Sequence, residues 1–383
     1  MNQPVFIKDS DKDQQNWQLV LDQQAYAYDG PIVVGVIKAT PEDFIVTEIM
    51  DVEPTGEGEH VWLWIRKTKQ NTDQVAKQLA RLCGLAYRDV SYSGLKDFFA
   101  VTEQWFSVWL PRNDMPDWNT FSMPGVEILK FVRHQRKIKR GTHRANQFSI
   151  KITGLKGSQH TLKLEQRLQL IQQQGVPNYF GSQRFGRGAR NIEKAQSMFS
   201  GEIRVKDRNL RGIFLSAARS WLFNRILSER INNHSWQTLY FGEAANLDGS
   251  ASVFNAINDL AADSERSLVL ENQQSLALQT QRLQDLDIHP TAPMWGDAKP
   301  QTFDAYPELH ELESAIVADY PQLVNGLIAA RIDYQRRPTR MRVRDFSWQI
   351  DDQQLHLSFC LSKGQYATSV LRELVSLPEG VAQ

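Results

Sequence analysis

Lys96 and Asp97, neighbours of opposite charge, sit in the glycine-led stretch Ser93-Gly94-Leu95-Lys96-Asp97. Short β-branched and aromatic segments flank them, Asp89 to Ser93 before and Thr102 to Leu110 after, and both read as strands. A carboxylate on a short loop at a strand end is where folds present reactive groups to ligands. The plainer reading is a turn in which Asp97 bonds its own backbone. Lys96 is the nearest cation in sequence, but on extended backbone its side chain points to the opposite face. A second pair, Asn146 and Phe148, lies two residues apart in a strand-like run, so both side chains look to one side. Between Arg133 and Arg144 stand six Arg or Lys and two His without an acid, and between Arg331 and Asp345 six arginines against two aspartates. Such clusters suit a polyanion such as nucleic acid, or are solvated surface. The eight histidines show no metal-ligand spacing. Gly186-Arg187-Gly188 lacks the third glycine and the strand–turn–helix setting of a nucleotide fingerprint.

Strand-like alternation over Ile32 to Ile37, Phe44 to Ile49 and His60 to Thr68 leads into a helix capped by Asn71. That helix has Val75, Leu79 and Leu82 on its apolar face and stops at Gly84. Gln147 to Thr153 is a further strand, and Leu164, Leu168 and Ile171 mark a helix ending at Gly175-Val176-Pro177. From Asn178 helical spacing dominates, over Arg190 to Met198, Leu215 to Ile231, Ala256 to Asp263, Gln273 to Leu283 and Leu309 to Val317. Strands return at Arg344 to Gln349 and Leu355 to Leu361, before a helix from Ala367 to Leu374. A strand-rich start and end around a helical middle predicts an α+β domain carrying an insertion.

Apolar content of 41% over 383 residues is enough for a sizeable core, and Cys83 and Cys360 are too few for a disulfide framework or a cysteine metal site. The longest apolar run, Pro31 to Ile37, cannot span a bilayer. The first twenty residues are polar, unlike a secretory or transit signal, and a cytoplasmic location is expected.

Several segments together resemble the tRNA pseudouridine synthase D (TruD) family. Gly94-Leu95-Lys96-Asp97 with Ala100-Val101-Thr102-Glu103-Gln104-Trp105 is similar to its catalytic segment, and Lys38-Ala39-Thr40-Pro41-Glu42-Asp43-Phe44 with Val46 and Glu48 to its N-terminal motif. Asn146-Gln147-Phe148 matches its Asn-x-Phe element. Gly175-Val176-Pro177-Asn178-Tyr179-Phe180-Gly181 with Gln183-Arg184-Phe185-Gly186, then Leu215 to Ser220, then Ala367-Thr368-Ser369-Val370 with Arg372-Glu373-Leu374, follow in family order.

The resemblance implies an α+β pseudouridine-synthase catalytic domain with a mixed, largely antiparallel sheet, interrupted by a mostly helical α+β insertion. The expected boundaries are an N-terminal extension at 1–30, a discontinuous catalytic domain at 31–173 and 340–383, and an insertion domain at 174–339. It also implies isomerisation of uridine at tRNA position 13, tRNA as partner, and neither a metal nor an organic cofactor; a monomer is expected. Carried over residue by residue, Asp97 is the catalytic carboxylate and Lys38 its cationic partner. Phe148, Asn146, Tyr366 and Glu42 are expected at the substrate. Arg133, Arg136, Lys137, Lys139, Arg140 and, in the insertion, Arg184 are expected at the RNA backbone. Phe98 and Phe99 depart from the family, which has basic or other polar residues there. They leave a competing reading, a tRNA-binding or tRNA-folding protein without turnover. A carboxylate-dependent nucleoside or glycoside hydrolase is a third reading, disfavoured by the basic clusters and because no second motif acid stands beside Asp97.

Overall fold

The computed structural model describes residues 17, 21, 23–111, 115–156, 161–240, 243–255, 277–297, 307–351 and 353–378. The helix expected at Ala256 to Asp263 lies outside these residues, as does the start of the one expected at Gln273 to Leu283; residues 277–284 are helical. The chain divides into two compact units. The sheet unit comprises Pro31–Gln172, Val343–Ala367 and Leu374–Gln383; the helical unit comprises Met1–Gly30, Gln173–Arg342 and Thr368–Glu373.

The sheet unit is built on a ten-stranded mixed sheet, largely antiparallel. Its strands are β1 (Val33–Ile37), β2 (Phe44–Ile49), β3 (His60–Thr68), β4 (Val90–Tyr92), β5 (Val101–Trp109), β6 (Val126–His134), β7 (Ala145–Lys156), and, late in the chain, β14 (Arg344–Asp351), β15 (Gln354–Ser362) and β16 (Val375–Ser376). Helix α1 (Thr72–Leu82) lays Val75, Ala76 and Leu79 on Val61, Leu63, Ile65, Phe106 and Val108, all fully buried. The spacing of those helix residues and the alternation of the strand residues are what the sequence pattern predicts. Helix α2 (Thr161–Gln174) follows β7 and buries the expected Leu164, Leu168 and Ile171. The long path of the sheet runs β14-β15-β7-β2-β5-β3-β6, with β2 and β5 adjacent and parallel. Strand β6 is not foreseen from sequence. A register shift between Trp64 and Ile65 skips Leu129 on β6, so Ile128 and Leu129 stand together and the period of two is lost.

In the helical unit, α4 (Arg208–Asn232) is the long central helix, joined by α3 (Arg190–Phe199), α5 (Pro307–Ala318) and α6 (Pro321–Ala329). α4 begins seven residues before the expected Leu215, and its first two turns are exposed, Leu210 and Ile213 included; Asp207 caps it through Leu210 N at 2.8 Å. Trp221 of α4 is buried against Trp17, Phe185 and Tyr320. A four-stranded sheet runs through this unit in the order β10 (Val253–Asn255), β9 (Ala244–Leu247), β11 (Ile288–Met294), β12 (Gln335–Pro338). A short antiparallel pair, β8 (Val176–Pro177) with β13 (Arg340–Met341), joins the two ends of the segment between them. Pro290 and Pro293 in β11 and two arginines in β12 conceal these strands from a propensity reading. The arginine run from Arg331 to Arg344, read from sequence as part of a polyanion footprint, is in part internal: Arg336 and Arg340 are buried, and Arg337 is half-buried against Phe180. The C-terminal helix, α7 (Ala367–Leu371), stops three residues short of the expected end. Among the described residues, no helix is long and apolar enough to cross a membrane.

Candidate active site

The sheet register lines up residues from five strands on one face. Lys67 of β3 pairs with Thr102 of β5, Thr102 with Val46 of β2, Val46 with Phe148 of β7, and Phe148 with Phe359 of β15. Directly paired residues point to the same side of a sheet, so these five side chains form one row. Two residues along β2 and β7, Glu48 pairs with Asn146 on that same face. The segment Lys38 to Asp43 leads into β2, and the 93–99 loop leads into β5. Because β2 and β5 are parallel neighbours, these two segments lie at one edge of the face.

Lys38 adopts a left-handed backbone (φ 59°), a conformation that costs a non-glycine residue free energy. It is followed by a 3-10 turn, Pro41–Asp43, which Asp43 closes by accepting Thr40 N at 2.7 Å. Burial acts to raise the Asp43 pKa, but its ion pair with Lys151 at 2.8 Å and the Thr40 bonds hold it below the ordinary carboxylate value. The motif's second acid therefore braces the turn. So positioned, Lys38 Nζ lies 3.7 Å from Asp97 Oδ1 and 3.9 Å from the centre of the Phe44 ring. Both members of the pair are partly exposed, at 27% and 30% of their side-chain surface. Water therefore reaches both groups and weakens their attraction.

Lys96 turns away from Asp97 into the protein, where Nζ meets Glu48 Oε2 at 2.8 Å; both side chains are buried. Glu48 also accepts Trp105 N at 3.2 Å. The loop is tied down further by Lys96 N to Thr72 Oγ1 (3.2 Å), Thr72 Oγ1 to Gln104 Oε1 (3.1 Å) and Gln104 Nε2 to Gly94 O (3.0 Å). Ser93 Oγ accepts His143 N at 2.8 Å and lies 2.6 Å from His143 Nδ1. Burial first, then the charges of Lys96 and Lys363, push His143 down to about 4, so it is neutral at pH 7. Glycine at 94 leaves room for that imidazole, since a Cβ there would press on it at 3.3 Å.

Of the other expected residues, Phe148 is buried, stacked on Phe359 at 5.3 Å and edge-on to Phe44 at 6.0 Å. Asn146 shares its face, and its amide oxygen is buried without a hydrogen-bond partner among the described residues. Tyr366, half-buried, follows the turn at Gly364 just past the end of β15. Glu42 is exposed on the 3-10 turn. Arg136, Lys137, Lys139 and Arg140 are exposed, with the Arg140 guanidinium 3.8 Å over the Tyr92 ring and Lys137 Nζ donating to Arg88 O at 2.7 Å. Arg133 is half-buried and donates to Gly58 O and Leu110 O, at 2.9 and 3.1 Å. Arg184 belongs to the helical unit, where Nη1 donates to Ser216 Oγ at 2.9 Å.

Lys67 escaped the sequence reading altogether. It is fully buried, and its Nζ donates to the Asp97 carbonyl at 2.9 Å. The signal was present in the strand period. Lys67 shares parity with Val61, Leu63 and Ile65, the apolar face of β3, where a lysine is out of place.

Comparison with known proteins decides the family. The profile of tRNA pseudouridine synthase D (TruD) matches residues 20–195 and 189–374. The chain belongs to the TruD family. A protein of Aeromonas hydrophila named tRNA pseudouridine synthase D is 41% identical over 360 residues, 94% of this chain and 96% of that one. One of the same name from Methylococcus capsulatus is 41% identical over 348 residues, 90% and 92% of the two chains. A crystal structure of a Methanosarcina mazei protein assigned the TruD name has a TM-score of 0.65 at 19% identity, covering 91% of this chain and 95% of its own, and shares the fold. The TruD profile covers residues of both units, from before β1 to three residues past the short C-terminal helix.

Proposed function

We propose that this TruD-family chain is an isomerase that converts uridine to pseudouridine in tRNA, at position 13, with Asp97 as the catalytic carboxylate. The observation that carries this reading is the Lys38–Asp97 pair at 3.7 Å, set at the edge of a sheet face that also bears Phe148 and Asn146. The reaction exchanges the bond from C1′ to N1 of uracil for one from C1′ to C5; a proton leaves C5 and N1 takes one up. No atom is gained or lost overall. The base must leave its stack to be rotated, at a cost of a few kcal/mol.

Asp97 is suited to share the step as an ionised group, either attacking or stabilising the separated sugar or base. Lys38 places a cation 3.7 Å from that carboxylate, the partner a carboxylate needs where water is excluded. Phe148, braced from behind by Phe359 and from the side by Phe44, forms the wall against which uracil is held. Base–aromatic contact of this kind is worth about 1–3 kcal/mol and offsets much of the flipping cost. The unpartnered amide oxygen of Asn146 suits the uracil N3–H donor, and Tyr366 and Glu42 flank the site. Arg136, Lys137, Lys139 and Arg140 present exposed cations to phosphates, with Arg133 and Arg184 as further contacts.

Site-specific mapping of pseudouridine in tRNA incubated with wild type and with Asp97→Asn tests the proposal. Conversion of one uridine, at position 13, by wild type and none by the variant is expected. Equal conversion by both removes Asp97 from the mechanism, and salt-dependent binding without conversion by wild type establishes the tRNA-binding alternative. Release of free uracil marks a hydrolase.

A further inference from the structure

Lys67 is an expensive residue to keep where it stands. Its ammonium is fully buried, and among the described residues it has no carboxylate within ion-pair distance. The hydrogen bond it makes is to a neutral acceptor, the Asp97 carbonyl at 2.9 Å. Burying a cation without a carboxylate costs stability, and an apolar side chain of equal length would fit the face formed by Ile65, Val46 and Phe148. Such a cost is borne where a site needs the charge.

The charged groups around it are few. Asp97 and Lys96 belong to the loop above; Lys96 is matched by Glu48 of β2, and Lys38, before β2, faces the Asp97 side chain. Lys67 is thus the cation held under the backbone of Asp97, and Lys38 the cation beside its carboxylate. The loop ends just beyond it in a tight turn, Ala100 N donating to Phe98 O at 3.1 Å, and the bond from Lys67 to the Asp97 carbonyl restrains the backbone that carries the carboxylate.

We propose that Lys67 is a positioning residue for the Asp97 carboxylate, and that it works as a protonated ammonium: it clamps the carbonyl of Asp97, orients the loop and adds a buried positive charge that favours the ionised acid. Burial pushes the Lys67 pKa down to about 8, with the Asp97 charge acting to raise it and Lys96 to lower it, so the clamp would be lost within a mildly alkaline range. The inference rests on the proposed role of Asp97.

The test is the pH profile of single-turnover pseudouridine formation on tRNA, from about pH 6 to 9, for wild type, Lys67→Met, Lys67→Arg and Asp97→Asn. Wild-type rate should fall as pH rises through about 8. Lys67→Met should lose about tenfold or more in rate at neutral pH, with tRNA affinity changed less than about twofold and no alkaline fall remaining. Lys67→Arg, which stays charged, should retain activity and shift the fall to higher pH. A Lys67→Met enzyme with the wild-type rate, or a Lys67→Arg enzyme with an unshifted alkaline fall, overturns the inference. Should Lys67→Met fail to show a cooperative thermal transition, a wild-type rate flat from about pH 7 to 9 overturns it equally. Wild type that forms no pseudouridine, or Asp97→Asn as active as wild type, defeats the functional reading instead.

Discussion

Two buried arginines of the helical unit and the buried Lys67 of the sheet unit satisfy their charge in opposite ways. In the helical unit Arg230 is wholly buried with Glu243 at 2.6 Å, and its other donors go to the carbonyls of Ser235, Thr238 and Thr291. Arg336 takes both oxygens of Glu313, at 2.8 and 3.2 Å, and donates to Thr291 O and Oγ1. Burial acts against the charge of Arg336, but the Glu313 carboxylate outweighs it and the pKa rises. Each of these two cations has a carboxylate, and the planar guanidinium fills its fork with fixed acceptors. In the sheet unit the cations nearest Asp97 are lysines. Lys67 has a carbonyl in place of a carboxylate, and Lys38 stands 3.7 Å from Asp97 with 27% of its side chain wet. On the proposed function, the matched Arg230 and Arg336 serve the fold, whereas Lys38 and Lys67 leave charge available to the reaction.

The contrast is broken first at its strongest point. Glu243→Gln leaves Arg230 buried without an anion, and the expected loss is about 3–5 kcal/mol of unfolding free energy by urea titration. Lys67→Met, which removes a charge that has no carboxylate, should cost far less or nothing. If Glu243→Gln costs no more than Lys67→Met, the division between matched and poised cations fails. A second, smaller test lies at His143. Its native pKa of about 4 is depressed from an ordinary value near 6.5, so the unfolded chain takes up a proton in that interval while the native protein does not. Stability is therefore unaffected above about pH 6.5 and is lost as pH falls from there towards 4. Partial exposure reduces the effect to roughly 2 kcal/mol. Urea titrations at neutral pH and near pH 4.5 should show a smaller acid loss for His143→Asn than for wild type; equal losses would mean that the imidazole is not held neutral beneath Lys96 and Lys363.

The fold was legible where local periods and burial agree. β2, β3 and α1 follow the apolar spacing to the residue or nearly so, because each lays one regular face, such as Val61, Leu63 and Ile65 of β3, on a core. Legibility failed where another requirement overrode the period: the skipped Leu129 in β6, and the prolines and buried arginines of β11 and β12. At the site, the motif carrying Lys38 and the loop carrying Asp97 were visible as segments. That they meet depends on the parallel pairing of Ile45 with Val101, a contact 56 positions apart for which no local pattern exists. Lys67 lay hidden for a different reason. Its charge invites a surface reading, and only its parity with Val61, Leu63 and Ile65 contradicts that.

The smallest expected effect concerns the aromatics that flank Asp97. Buried aromatics of the helical unit, such as Trp221 on Trp17 at 4.8 Å, are core. Phe98 and Phe99, by contrast, are 50% and 37% exposed, and Leu95 on the same loop is 67% exposed. Exposed side chains contribute little to folding, so Phe98→Ala with Phe99→Ala should shift the unfolding free energy by no more than about 0.5 kcal/mol for each. On the proposed function, apolar rings beside Asp97 have another use, since a neighbouring base can stack on them for about 1–3 kcal/mol when fully engaged. With half or more of each ring covered already, the lower end applies, a loss of about fivefold in tRNA affinity for the double variant. That loss should persist at high salt, where phosphate contacts weaken and stacking does not. A double variant that binds tRNA as tightly as wild type at every salt concentration would make the two rings bystanders, and one that unfolds readily would return them to the core.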